Sequence, residues 1–428
     1  MNQLQLFLPC AAGVEDYLAT EVARTTGLTG DDVHKQRGGV ALNGSWRDAL
    51  LLNLHSRLAQ RVLVQLSFTN CRNEQDLYRA ASEVAWEIWF TPRQTIKIEV
   101  TAQHSPLTSL NFAALKIKDA VCDRFRAKAG GVRPDVDTTW PDIRIYAHLT
   151  TDTLSLYIDT SGEPLFKRGW REDKGEAPLK ETLAAAMLAA SGWADGLAND
   201  GTLLPLYDPC CGSGTIAIEA AQIACNIAPG SLRRFAFEKM LPFQPHVWGA
   251  IQAQAKSAET PKTSLIFGSD VAHRMVDFAQ RNAQRAGVAD CIEFRGGDAL
   301  QRMPPSETPG VMLINPPYGE RIAAAGIAGQ DPRQDRLGVV SVAGEERYST
   351  GNSGARQQAH TEDGGEFFNQ LASHWKKNYS GWTAWMLTPD LKMPSKMRLK
   401  ESRKVPMWNG PIECRLFKFE MVKGSARK

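Results

Sequence analysis

The run Tyr207-Asp208-Pro209-Cys210-Cys211-Gly212-Ser213-Gly214-Thr215-Ile216-Ala217-Ile218-Glu219-Ala220-Ala221 carries the strongest local signal in this chain. The apolar residues 203–207 read as a buried strand, which ends at Asp208, turns through two glycines and passes into an alanine-rich helical pattern. Glycine at 212 and 214 lets the backbone turn tightly and leaves room for a ligand against the main chain. The helix that follows would aim its unsatisfied N–H groups at that ligand. A strand, turn and helix of this kind form the ligand crevice of a doubly wound α/β sheet. Two ligand classes fit the glycines, because Gly212-x-Gly214-x-x-Ala217 also matches the dinucleotide fingerprint. Asp208 at the strand end suits a cationic amino-acid moiety better than a pyrophosphate. The next acid at a strand end, Asp270, stands far beyond the roughly 20 residues of a dinucleotide ribose contact. S-adenosylmethionine is therefore favoured, with a dinucleotide still open.

Downstream the same unit recurs. Residues 264–270 read as a strand ending at Asp270, and 271–286 as its crossover helix, closed by Gly287. Residues 292–294 form a short strand before the loop Gly296-Gly297-Asp298-Ala299. Residues 311–314 form another, leading into Asn315-Pro316-Pro317-Tyr318. An exocyclic amine on a base is a poor nucleophile, because its lone pair is delocalised into the ring. Two carbonyl oxygens that accept its N–H groups can hold the nitrogen towards a methyl donor. Asn315 Oδ1 and the Pro316 C=O suit that task, since the prolines fix the backbone and remove competing donors. Tyr318 would stack on the base. The plain alternative is a proline-punctuated turn, but the tetrapeptide lies one βα unit past Asp298, in the series begun by Asp208 and Asp270. Residues 323–365, rich in Gly, Ala, Gln and Asp, read as a mobile insertion beside that turn.

The remaining bounds are broad. With 428 residues, 43% hydrophobic and 23% charged, the chain has the composition of a globular protein of two or three domains. A net charge of +3 is too small to identify a partner. No apolar run reaches the ~18 residues of a membrane span, and residues 1–9 lack the basic region of a signal peptide. The eight cysteines, at 10, 71, 122, 210, 211, 225, 291 and 414, form no C-x-x-C pair. No metal is expected, and scattered thiols fit a reducing cytoplasm. Cys210 and Cys211 read as small packing residues.

Ahead of this region, residues 1–68 alternate as β-α-β-α-β, which suggests a ferredoxin-like α+β unit. Residues 69–165 form a second small unit with a helix over 111–128. That helix carries Lys116, Lys118, Arg124, Arg126 and Lys128, with Arg133 beyond it and Lys167, Arg168 and Arg171 where the chain leaves the unit. These read either as a solvated face or as a phosphate-contacting surface. A further basic stretch spans 392–418, ending in a hairpin whose second strand is 412–419. The stretch 225–262, punctuated by prolines, reads as a surface excursion within the domain over 166–428.

Taken together, Asp208-Pro209-Cys210-Cys211-Gly212-Ser213-Gly214-Thr215, Gly268-Ser269-Asp270, Gly297-Asp298-Ala299 and Asn315-Pro316-Pro317-Tyr318-Gly319-Glu320-Arg321 resemble the class I methyltransferases that carry a THUMP domain. Within that family the pattern is similar to the bacterial 23S ribosomal RNA guanine-N2 methyltransferases. Lys167-Arg168-Gly169-Trp170-Arg171 and Ala177-Pro178-Leu179-Lys180-Glu181-Thr182 resemble the lead-in to its catalytic domain, and the Arg-rich stretch 122–133 looks like its THUMP domain. The resemblance implies an α/β architecture: a Rossmann-like methyltransferase domain over 166–428, preceded by ferredoxin-like (1–68) and THUMP (69–165) domains. It implies S-adenosylmethionine as cofactor and RNA as partner, either 23S ribosomal RNA or a large-subunit precursor. Carried over by position, Asp208, Gly212 and Gly214 would hold the methionine end of the cofactor. Asp270 would accept its ribose hydroxyls, and Asp298 with Ala299 would contact adenine. Cys210, Ser213, Val271 and Asn315 complete the cofactor set. Asn315, Pro316, Pro317 and Tyr318 would receive the guanine, and Lys116, Lys118, Arg124, Arg126, Lys128, Arg133, Lys167 and Arg168 would contact RNA. Two departures stand out: some family members continue into a second methyltransferase domain, whereas this chain stops at Lys428, and the 323–365 insertion lengthens the loop beside the target site. Asn-Pro-Pro-Tyr also serves adenine and glutamine amides. Methylation of DNA, tRNA or a protein glutamine stays open, as does a non-catalytic RNA-binding role.

Overall fold

The computed structural model describes residues 3–105, 107, 109–175, 178–199, 201–260, 265–317 and 365–422. Tyr318 and all but the last residue of the 323–365 stretch lie outside the described residues. The chain clusters into two compact units, Met1–Gly169 with Ile227–Glu259, and Trp170–Asn226 with Thr260–Lys428.

The first unit opens with β1 (Leu4–Pro9), a helix over Glu15–Thr26, β2 (Val33–Gln36), β3 (Gly39–Gly44), a helix over Trp46–His55 and β4 (Leu63–Asn70). This is the β-α-β-β-α-β order of a ferredoxin-like unit. Five of these elements are legible in the sequence. β2 escapes it because Val33-His34-Lys35-Gln36 is short, polar and largely exposed at the sheet edge. Ser45 and Asp48 start the Trp46–His55 helix with a capping box: Ser45 Oγ accepts the Asp48 N–H at 3.2 Å, and the Asp48 carboxylate accepts the Ser45 N–H at 2.7 Å. A helix over Glu74–Glu83, β5 (Ile96–Ala102), a helix over Leu110–Lys128, β6 (Ile143–Leu149) and β7 (Thr153–Asp159) follow. β4 pairs with β7, so a single seven-stranded sheet runs β2-β3-β1-β4-β7-β6-β5. The two small units read from the sequence thus share one sheet, because pairing between distant strands leaves no periodic trace.

Residues 227–259 are a correction to the sequence reading. They are built into the first unit's core rather than lying on the surface of the second. Phe235, Phe237 and Trp248 are buried together, with the Phe237 and Trp248 rings edge to face at 4.9 Å. Gly230 N–H donates to Leu54 O at 2.9 Å, and Leu241 N–H to Trp89 O at 2.8 Å. Leu54 and Trp89, which receive this segment's N–H groups, stand far earlier in the chain, so no local pattern announces the attachment.

The second unit holds β8 (Leu206–Asp208), β9 (Ile266–Asp270), β10 (Ile292–Gly296), β11 (Val311–Ile314), β12 (Thr383–Thr388), β13 (Arg403–Asn409) and β14 (Ile412–Glu420). They form a sheet in the order β10-β9-β8-β11-β12-β14-β13. The first five are parallel, while β14 is antiparallel to both β12 and β13. The Rossmann-like expectation and the closing hairpin both hold. From β8 the chain builds outward first through β9 and β10, then on the other side through β11 and β12. That reversal opens a crevice at the carboxyl ends of the central strands. Met312 and Ile314 of β11 pack with Phe368, Trp375, Met386 and Phe419, all buried. Each such side chain contributes about 1.5–3 kcal/mol, and this core holds the strand ends rigid.

Candidate active site

Asp208 closes β8, Asp270 closes β9, Asp298 follows β10 and Asn315 follows β11. Because these strands are parallel neighbours, their carboxyl ends open on one edge of the sheet. Asp208 lies opposite Gly268, and Gly296 opposite Asp270. Between β8 and the helix Thr215–Ala224, Cys211 N–H bonds Ser269 O at 2.9 Å and Gly214 N–H bonds Cys211 O at 2.8 Å. Gly212 and Gly214 take left-handed φ values of +52° and +87°. A Cβ on Gly214 would also stand 3.0 Å from Ala279 Cβ and 3.2 Å from Phe294 Cζ, so glycine is required there by conformation and by packing. The Asp270 carboxylate accepts Gly212 N–H at 2.9 Å and Ala272 N–H at 3.0 Å, which ties the first loop to the second. A carboxylate has about four acceptor positions, so capacity remains for ligand hydroxyls.

The edge is acidic. Asp208 is only 2% exposed, and its Oδ1 accepts the Cys210 N–H at 3.1 Å. Burial, seconded by the charge of Asp270, pushes its carboxyl up to about 8, against the lowering effect of the Cys210 N–H. Burial raises Asp270 as well. The Cys210 thiol is pushed well up by burial and then by the charges of Asp208, Asp270 and Asp298. That thiol stays protonated and is no nucleophile. Asp298 Oδ1 accepts Leu300 N–H at 2.9 Å. No described cation forms an ion pair with any of the three acids. A crevice of acids with backbone N–H partners but no counter-ion suits a ligand bearing positive charge and hydroxyl groups.

The other residues singled out from sequence are placed as follows. Val271 is half-buried, Ala299 lies in the core beneath the edge, and Asn315 and Pro317 flank the buried Pro316. Tyr318 lies outside the described residues. Ser213 is buried, and its Oγ accepts from Arg171 at 2.8 Å, while Asn282 Nδ2 holds its carbonyl at 3.1 Å. Sequence gave no hint of Asn282, or of Arg171 as anything but part of a basic run.

The basic residues divide sharply. Arg168, 1% exposed, donates to Leu165 O at 2.8 Å and Arg57 O at 2.7 Å, so it is unavailable to a phosphate. Arg124 grips Glu87 at 2.6 and 2.9 Å and donates to Ser82 O, a structural role as well. Lys118 pairs with Asp119, Arg126 with Asp123 and Lys167 with Glu163, and Lys116 lies over the Phe112 ring. Lys128 and Arg133 are exposed and outside any ion pair among the described residues. Among those residues no group of three His, Cys, Asp or Glu stands together to hold a metal, and no helix is long and apolar enough to cross a membrane.

Residues 5–63 match the RlmL ferredoxin-like domain, 71–159 the THUMP domain, and 168–330 the RMKL-like methyltransferase domain. A ribosomal RNA large subunit methyltransferase K/L from Psychromonas ingrahamii is 36% identical over 417 residues, which are 96% of this chain and 49% of that protein. The chain spans about half the length of the curated relatives it matches. The crystal structure of SMU.472 complexed with SAH has a TM-score of 0.79 at 25% identity, covering 99% of this chain and 100% of that one. A predicted N6-adenine-specific DNA methylase from Listeria monocytogenes has a TM-score of 0.78 at 26% identity, covering 98% and 96%.

Proposed function

Because the chain belongs to the THUMP-domain class I methyltransferases, with that family's ferredoxin-like, THUMP and methyltransferase domains, we propose that it methylates the exocyclic N2 amine of a guanine in 23S ribosomal RNA. The methyl donor in this reading is S-adenosylmethionine. The observation that carries it is the uncompensated acidic crevice of Asp208, Asp270 and Asp298 around the Gly212–Gly214 turn. When bound, the cofactor supplies a methyl group on a cationic sulfonium. Asp208 faces its cationic methionine end, Asp270 its ribose hydroxyls, and Asp298 with Ala299 its adenine. The helix beginning at Thr215 turns its first N–H groups to the carboxylate. Cys210, Ser213 and Val271 shape the surrounding loops.

On the substrate side, Asn315 Oδ1 and the Pro316 carbonyl accept the two N–H groups of the guanine amine and aim its lone pair at the methyl group. The proton leaves after alkylation, when the nitrogen has become acidic, so no general base is needed beforehand. Tyr318 follows in sequence and stacks on the base in this reading. Lys128 and Arg133 contribute phosphate contacts, and Arg124 and Arg168 drop out of that role. The K/L relatives act on ribosomal RNA of the large subunit by name, which supports RNA as substrate.

The Listeria neighbour favours a second reading, adenine methylation in DNA. A labelled-methyl assay on ribosomal RNA, tRNA, duplex DNA and a glutamine-bearing release factor separates them. Label in 23S RNA that maps to a guanine N2 is the expected result. Label in DNA or protein alone would overturn the proposal.

A further inference from the structure

We propose that Arg171 is the positioning residue of the cofactor loop, holding the Ser213–Thr215 turn from behind in the form that presents its N–H groups to the ligand. The inference rests on the S-adenosylmethionine reading of the crevice. The Arg171 guanidinium donates to Ser213 Oγ at 2.8 Å, Thr215 Oγ1 at 2.8 Å, Leu179 O at 3.3 Å and the Glu181 carboxylate at 2.8 Å. It lies over the Trp170 ring, 4.9 Å from the centroid. One side chain therefore joins the segment leading into the unit, the start of the Glu181–Ser191 helix and both hydroxyls that flank Gly214.

The need for such a tie follows from the turn itself. Gly212 and Gly214 both hold left-handed φ, and glycine gives up more conformational freedom on ordering than any other residue. Ser213, between them, is the position through which the turn can be gripped. Its hydroxyl goes to Arg171 and its carbonyl to Asn282, so the peptide is fixed on two sides. Asn282 in turn binds Asp173 O at 2.8 Å, and Arg281 and Arg285 hold the Asp173 carboxylate at 2.8 and 2.6 Å. Residues 171–173 are thus locked to the His273–Arg285 helix while Arg171 reaches the loop. A planar guanidinium can serve these four acceptors with fixed geometry, whereas a lysine ammonium cannot span them. The rival reading is that Arg171 merely neutralises the buried Glu181.

Arg171→Lys in the full chain distinguishes the two, because it keeps a positive charge beside Glu181 and loses the span to Ser213 and Thr215. By calorimetry, S-adenosylmethionine affinity should fall about tenfold or more, the scale for losing two hydrogen bonds to a charged donor. KM for the cofactor should rise in step, with kcat within about threefold and RNA affinity unchanged. The double variant Ser213→Ala/Thr215→Val should lose a similar factor. Adding Arg171→Lys to it should cost little more, since the same contacts are already gone. If Arg171→Lys lowers Tm but binds the cofactor within about twofold of wild type, the neutralising role is the right one and the proposal is overturned. Additive losses in the combined variant would overturn it too. Failure of the unaltered chain to bind S-adenosylmethionine would instead remove the cofactor reading, and this inference with it.

Discussion

The acidic edge of the second unit and the basic face of the first carry similar signals in the sequence, yet they end in opposite electrostatic states. Asp208, Asp270 and Asp298 stand at or just past neighbouring strand ends, with no ion pair to a described cation. On the basic face, Arg124 is spent on Glu87, and Arg168 on two backbone carbonyls. Burying acids without a counter-ion costs folding free energy. Such groups persist where a ligand is to complete them. Charge is offered to a partner only where the fold withholds one, so a tally of Lys, Arg, Asp and Glu does not locate a binding face.

The strongest test of that contrast is a residue on the acidic edge that carries no charge. Asn315→Ala should lower the rate of methyl transfer by about 10²–10³, the scale for removing one preorganised polar group. RNA binding should barely change, because phosphates elsewhere supply most of it. Asn315→Asp should be milder, since an acceptor oxygen remains. Single-turnover kinetics on a ribosomal RNA fragment is the measurement, and near-normal turnover in Asn315→Ala would sink the mechanism.

Next comes pH. With its carboxyl at about 8, Asp208 is mostly protonated in the free protein at neutral pH. A cationic ligand favours the ionised form, so binding releases a proton below that value. Affinity for S-adenosylmethionine should therefore rise with pH by up to about tenfold per unit from roughly 6 to 8, then level off. Stability of the free protein runs the other way. A raised carboxyl contributes fully below its ordinary value of 3.8, and that contribution is lost as pH rises through about 8. Asp208→Asn should flatten both dependences. Calorimetry in buffers of different ionisation heat counts the released proton, and an unchanged slope in Asp208→Asn would assign the effect to another group.

Asp270→Ala should weaken the cofactor by about ten- to hundredfold, from charge-assisted bonds worth roughly 1.5–3 kcal/mol. It also releases Gly212 N–H and Ala272 N–H, so part of the loss comes from a looser loop. Asp270→Asn retains an acceptor and should lose less. Equal affinities for wild type and Asp270→Ala would remove this carboxylate from the site.

The smallest effects distinguish offered from spent cations. Lys128→Ala and Arg133→Ala should each weaken RNA binding a few-fold and reduce its salt slope by about one. Arg168→Ala should leave that slope alone and lower Tm, because the buried Leu165 carbonyl loses its donor at about 1–3 kcal/mol and the part-buried Arg57 carbonyl loses one as well. Filter binding across a salt series, set beside thermal melts, reads both. A slope change in Arg168→Ala equal to that in Lys128→Ala would erase the distinction.

By itself the sequence determined the strand, turn and helix at 207–221, the strand ends at Asp270 and Asn315, and the family. Apolar runs, helical periods and glycines at tight turns are properties of neighbouring residues, so they survive in the linear text. Only the tertiary structure decided that β4 and β7 join two regions in one sheet. It alone placed Phe235, Phe237 and Trp248 in the first unit's core, and turned Arg171 from a surface cation into a clamp on Ser213 and Thr215. The raised proton affinity of Asp208 belongs here as well, since it depends on the burial that enclosing strands and loops impose. Each of these outcomes rests on contacts between residues far apart in the chain, where no period or propensity records the partner.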